Sequence, residues 1–400
     1  MDKNIIGLIE KSTDMMLHFP RLSVKQRAKN VIKKILFRPV PQPDSKGWKR
    51  AVGALGLLEF VINNPKDEVT PQVIKSLCVF FDTFAEEGGA AKVEDYLGAY
   101  VLVRFLNFLE KGFGCQSEQE QSEGTSQVSN EAIKIAVEDL KKYDRAVRKS
   151  YKNLRAARTD SQGIYIYNAA RPENYVLADM LGMAVPFLVE YSKRYSDDEA
   201  MAIARRQYEL FIKNALDETT GLVYHGYEYL GDAPSETSDA GKGADGSEGI
   251  CANEDRIDKL GIVGWGRAMG WLMLSGMADD AMVNAVAGYQ RADGLFGWKL
   301  CSEKTSEEEK SADCLENIHP DTSATAMIVY SLLRDGRKEK YKDLIDRAVE
   351  GLMKNITATG DVINAQAECL GLGLHPMKFG SYPWSVGMTL AVMSLYNAGI

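Results

Sequence analysis

The chain has 400 residues, of which 45% are hydrophobic and 26% charged, and a formal net charge of −8. This describes an ordinary globular chain, large enough for one big core or two domains. The acidic balance argues against nucleic acid or an anionic membrane surface as partner, and any anionic ligand must be drawn in by a local basic group.

Met1–Glu10 offers no long apolar stretch followed by a small-residue cleavage site, and no run in the chain reaches the length of a membrane span. From there helical periodicity dominates. Apolar residues at threes and fours predict helices over Ala51–Ile62, Pro71–Phe84, Tyr96–Leu109, Asn130–Arg155, Tyr175–Arg194 and Asp198–Ala215. They continue over Trp265–Met277, Ala281–Gln290, Thr322–Leu333, Tyr341–Met353 and Trp384–Ala398. β-Branched alternating runs are scarce and short, as at Gly163–Tyr167. Two stretches read as inserted loops, Gln116–Asn130 and Gly231–Asn253, being rich in small and polar residues. About a dozen helices pair as hairpins of roughly fifty residues, which predicts an all-α chain, open as a solenoid or closed as a toroid of six hairpins. The last helix is as apolar as the middle ones, with no polar outer face for a terminal cap, and this favours closure into one domain spanning 1–400.

The six cysteines are scattered, with no CxxC pair, so the chain reads as reduced and cytoplasmic. Gly241, Gly243 and Gly246 formally match a dinucleotide fingerprint, but no strand precedes them and no βαβ unit surrounds them. Cys301, Cys314 and His319 lack paired ligands at either end, so no metal site is expected.

Four places could carry chemistry. Asp95 stands in what reads as the first turn of a helix, where a surface cap is the easier explanation. Asp179 lies in an otherwise apolar run with Met183 and Pro186; there desolvation favours the neutral acid that proton donation requires, while N-capping is the bland alternative. His225 sits at a loop mouth between an aromatic and a glycine, one of only four histidines; a lone histidine is more often structural. Trp265, Arg267 and Trp271 fall within seven residues, and a helix starting near Gly266 puts Arg267 and Trp271 on one face. A flat indole beside a guanidinium fork suits a sugar ring bearing a carboxylate, whereas the alternative is a buried tryptophan pair with a capping arginine.

Taken in order, Asp179 with Met183 and Pro186–Leu188, the Thr220–Gly226 turn, Trp265–Trp271, Gln290–Trp298 and Thr322–Met327 resemble glycoside hydrolase family 105, and less closely family 88. The resemblance spans about residues 45 to 400. It implies an (α/α)6 barrel and the release of a 4,5-unsaturated uronate from lyase-generated oligosaccharides, most simply disaccharides. The implied reaction is hydration of the C4=C5 vinyl ether, without metal or organic cofactor. Asp179 matches the family's general acid/base and Asp95 its second carboxylate, with Glu94 and Asp82 as rivals. His225, Trp265, Arg267 and Trp271 match positions lining the sugar subsite, and Met183 a wall position. The chain departs from the family at Tyr165–Arg171, where many members place a His-Lys pair. Two other readings stand beside it: another sugar enzyme on the same toroid, such as a 2-epimerase working through facing histidines, and a non-catalytic toroid binding an acidic sugar or a protein.

Overall fold

The structure is a computed structural model that describes residues 3–18, 46–114, 140–167, 173–232, 255–301 and 315–398. Among these residues there are twelve helices, α1 (Lys3–Leu17), α2 (Trp48–Asn63), α3 (Thr70–Glu86), α4 (Tyr96–Gly114), α5 (Leu140–Arg155) and α6 (Ala178–Tyr195), then α7 (Asp198–Ala215), α8 (Gly266–Leu274), α9 (Asp280–Ala287), α10 (Thr322–Arg334), α11 (Lys342–Met353) and α12 (Pro383–Asn397). The even-numbered helices form a closed inner ring, each packed on the next from α2 through α12, with α12 returning to α2. The odd-numbered helices lie outside: α1 against α2 and α12, α3 and α5 against α2 and α4, α7 against α6, and α11 against α10 and α12. This is an (α/α)6 barrel.

Burial separates the two layers. Every residue of α8 is buried, and α10 is buried from Thr322 to Leu332, because inner helices are covered on all sides. In α7 burial is confined to Ala200, Ala204, Gln207, Phe211, Asn214 and Ala215, the single stripe of an outer helix. The ring closes where α12 crosses α2. A Cβ on Gly56 would lie 2.3 Å from the Gly387 carbonyl oxygen, and one on Gly387 would lie 2.5 Å from that of Val52, so only glycine lets the two backbones meet.

Strict alternation of inner and outer helices makes all six inner helices point the same way, with their N-termini at one end, the mouth. Roughly two to three turns below it the axis is filled by polar groups. The fully buried Glu59 of α2 accepts hydrogen bonds from Arg104 of α4 and from Tyr330 of α10, and Arg104 also reaches the Tyr330 hydroxyl at 2.9 Å. These contacts span the ring and give the barrel a floor.

The strands depart from the all-α expectation. β1 (Tyr175–Leu177) occupies the start of the helix predicted from Tyr175; β2 is Leu216–Asp217, and β3 (Leu222–Asp232) pairs antiparallel with β1, β2 and β4 (Asp255–Val263). Val223, Tyr227 and Tyr229 lie buried along β3, the aromatic and β-branched alternation of a half-buried strand, which short windows between glycines conceal. The loop predicted over Gly231–Asn253 begins inside β3, and its remainder lies outside the described residues, as do Gln116–Asn130 and the glycines of the dinucleotide match. The segment between α11 and α12 carries β5 (Ala365–Gln366) and β6 (Phe379–Gly380). No helix among the described residues is long and apolar enough to cross a membrane.

Candidate active site

Strand pairing at the mouth builds the central contact. Leu177 of β1 stands opposite Gly226 of β3, so Asp179, two residues past β1, meets His225, the neighbour of Gly226. A side chain at 226 would collide with the Val176 carbonyl at 2.3 Å, so the glycine permits this approach. Asp179 Oδ2 lies 3.0 Å from His225 Nε2. The N-cap of α6 is Leu177 and Asp179 is one residue inside the helix, which leaves its carboxylate for the histidine. His225 is 2% exposed and its Nδ1 is buried without a partner. A lone pair at Nδ1 tolerates that isolation better than an N–H, which makes Nε2–H the donor to Asp179.

The pairing of β3 with β4 is irregular between Tyr224 and Gly226, and β4 leads within two residues to Trp265, whose ring sits 4.4 Å from that of His225. Trp265 Nε1 donates to Gln366 Oε1 at 2.8 Å. Arg267 is 2% exposed. Its Nη1 donates to the Gln366 carbonyl at 2.9 Å and faces Asp321 Oδ2 at 3.4 Å, while Nη2 donates to the Ala367 carbonyl at 2.8 Å. Its guanidinium also lies over the rings of Trp265 and Trp384. Burial pulls the Arg267 pKa below the ordinary guanidinium value, opposed by Asp321 and Asp179.

These contacts revise two sequence expectations. Main-chain carbonyls and Asp321 take the fork that was expected to hold a substrate carboxylate, so Arg267 fastens the segment between α11 and α12 onto the barrel. Trp271, 2% exposed, packs edge-on to Trp48 at 5.7 Å and tightly against Gly182; it is an inner-ring core residue and not a stacking platform. Met183 is likewise fully buried within α6. Trp298, only half-buried, is the tryptophan with open surface, and its ring centroid is 6.0 Å from that of His375.

Asp95 is bound within its own turn. It is 1% exposed, its Oδ2 accepts the backbone amides of Ala91 and Lys92 at 3.0 and 3.1 Å, and Lys46 stands 3.9 Å away. This is the capping alternative, realised in the 3₁₀ turn Val93–Asp95. Its neighbour Glu94 instead hydrogen-bonds Tyr167, whose phenol is pushed well above its usual range by burial and by the carboxylates of Asp179, Glu94 and Glu368. Glu94 and Glu368 thus both lie, with Asp179, around Tyr167. Asp82 sits on outer helix α3, bound to Lys142 and Tyr143. Of the Tyr165–Arg171 stretch, only residues through Tyr167 are described.

The segment held by Arg267 supplies residues that periodicity did not reveal. Glu368 pairs with Lys49, at the first turn of α2, at 2.7 Å. His375 brings its ring to 5.5 Å from His225 and 5.0 Å from Trp265. Burial, with His225 and Arg267 adding to it, pushes the His375 pKa down to about 4. The scarcity of histidine was the one sequence signal that pointed at His375.

Residues 39–245 match the model of Glycosyl Hydrolase Family 88, and the chain belongs to that family; it is a glycoside hydrolase. A comparison with curated proteins finds no match. Among solved structures, a possible family 105 member from Klebsiella pneumoniae superposes with a TM-score of 0.64 at 17% identity, covering 98% of this chain and 91% of that one. A family 105 glycoside hydrolase from C. acetobutylicum gives 0.61 at 19% identity, over 94% and 99%. The unsaturated glucuronyl hydrolase of a Bacillus species, described as responsible for glycosaminoglycan degradation, gives 0.58 at 14%, over 99% and 94%. These likenesses concern the fold.

Proposed function

We propose that this chain releases a 4,5-unsaturated uronate from the non-reducing end of lyase-generated oligosaccharides, with Asp179 as the proton donor and acceptor. The observation that carries this reading is the 3.0 Å contact between Asp179 and His225 at the mouth. Asp179 accepts the Nε2–H of His225 on Oδ2 and carries its own acid proton on Oδ1, at the end of the barrel where the inner-helix N-termini lie. Transfer of the Oδ1 proton of a neutral Asp179 carboxyl to C4 leaves oxocarbenium character at C5, water adds at C5, and the proton it loses returns to Asp179, while the Nε2–H of His225 stays on the histidine throughout. The hemiketal then opens and the second sugar departs. Glu94 stands as the anion near the developing positive charge. With Arg267 committed to main-chain carbonyls and Lys49 paired with Glu368, the six helix N-termini supply the positive field that draws in a uronate despite the net charge of −8. Trp298 is the open ring face for stacking.

The test is a panel of unsaturated disaccharides made by pectin, ulvan and glycosaminoglycan lyases, followed by loss of the uronate's ultraviolet absorbance. At least one member is expected to decay. Asp179→Asn is expected to lower kcat by about 10²–10⁴-fold or more with little change in substrate binding. No decay on any member overturns the proposal.

One observation favours the epimerase alternative: His225 and His375 face each other at 5.5 Å, the two-histidine arrangement that chemistry uses. Incubation of free reducing sugars in deuterated water separates the readings. Deuterium at C2 supports epimerisation, and its absence together with vinyl-ether hydration supports the hydrolase.

A further inference from the structure

We infer that His225, Cys369 and His375 form a three-ligand site for a borderline divalent cation, Zn2+ in the first place, and that its occupation shuts the mouth of the barrel. One ligand atom from each residue lies within 4.8 Å of the other two. A triangle of that side has its centre about 2.8 Å from each corner (4.8/√3), so closing onto zinc bonds of ~2.0–2.3 Å takes shifts of well under 1 Å per ligand.

The state of each ligand supports the site. Nδ1 of the 2% exposed His225 is buried without a partner, and both ring nitrogens of His375 are likewise buried and unpartnered. Asp179 on Nε2 of His225 provides the carboxylate–histidine contact that fixes the free nitrogen as a lone pair, as at many metal-bound histidines. The Cys369 thiol makes only weak contacts with the Gly371 and Leu374 carbonyls at 2.9 and 3.5 Å. On binding, its S–H proton passes to solvent and the S–metal bond replaces it. Two imidazoles and a thiolate select zinc-like ions over magnesium or calcium, which prefer oxygen donors. Cys369 and His375 share the segment that Arg267 ties down, so small movements of that segment suffice to complete the site.

The binding arm of the test is independent of the hydrolase reading; the inhibitory consequence rests on it. Chelator-treated protein titrated with Co2+ is expected to develop a thiolate-to-cobalt charge-transfer band saturating at one equivalent and displaced by Zn2+. Cys369→Ser should lose the band. His375→Ala should weaken affinity by more than the ~10–100-fold that losing an outer hydrogen-bond partner costs. With active substrate in hand, Zn2+ at site-saturating concentration should suppress turnover of the wild type reversibly, while Cys369→Ser keeps its basal rate and becomes insensitive. Absence of the band, or its persistence in Cys369→Ser, overturns the site. Equal Zn2+ inhibition of wild type and Cys369→Ser overturns the claim that occupation here closes the mouth.

Discussion

Asp95 gives its carboxylate to the amides of its own turn while Glu94 faces Tyr167. Asp95→Ala is therefore expected to cost about 0.5–2 kcal/mol of stability, the usual loss of a cap, with kcat nearly intact once the protein is folded. Glu94→Gln should leave the thermal midpoint almost unchanged and depress kcat; parallel denaturation and kinetic series check both, and the opposite pattern restores Asp95 to the chemistry. The seven residues Trp265–Trp271 show what spacing conveys and what it leaves out. It marks a special place, and Arg267 and Trp265 do hold the site together. It does not show which way the guanidinium donates, because its acceptors, Gln366 and Ala367, lie about a hundred residues on and arrive only through the closed ring. His375 escaped for the same reason, having no periodic context of its own. It also yields a pH prediction. Its proton is disfavoured in the folded state, with a pKa of about 4 against an ordinary 6.5. Between those values the unfolded chain takes up the proton and the folded one does not, so stability falls as pH drops through that window. His375→Gln should flatten that part of a thermal-midpoint against pH curve; an unchanged slope would show that His375 is not its source.

At the scale of elements, the helices were legible because inner and outer layers leave distinct patterns of apolar residues. The strands were less so: β3 is interrupted by Gly226 and Gly231, and its partner β4 is remote in sequence, so neither window stood out. Helix α1, which completes the outer layer, is not among the helices that periodicity predicts. Closure depends on α2 meeting α12 backbone to backbone. In Gly387→Ala the added methyl would meet Val52 main-chain atoms at 2.5–2.7 Å, and backbone cannot turn aside as a side chain can. An overpacking loss of about 1–3 kcal/mol or more is expected in chemical denaturation, and Gly288→Ala, at φ −62° with nothing closer than 3.5 Å to the new methyl, serves as the control. A Gly387→Ala protein no less stable than that control would mean the ring closes differently.

For the whole molecule, the floor of the barrel matters as much as its mouth. Arg104→Met leaves the Glu59 carboxylate buried without its counter-charge, and a loss of about 3–5 kcal/mol is expected. The double replacement Arg104→Met with Glu59→Leu should recover much of it, because a matched apolar pair removes the burial of charge altogether; no recovery would mean that the hydrogen bonds to Tyr330 and not the ion pair hold the floor. The same floor governs traffic. A vessel with one opening admits a saccharide chain only by its tip, and the leading sugar is the first to enter and the last to leave. The trailing fragment must clear the rim before the cleaved uronate can follow. Initial-rate studies with added products should therefore show the uronate as a competitive inhibitor and the trailing sugar as a noncompetitive one, an ordered departure dictated by three side chains that never touch the substrate.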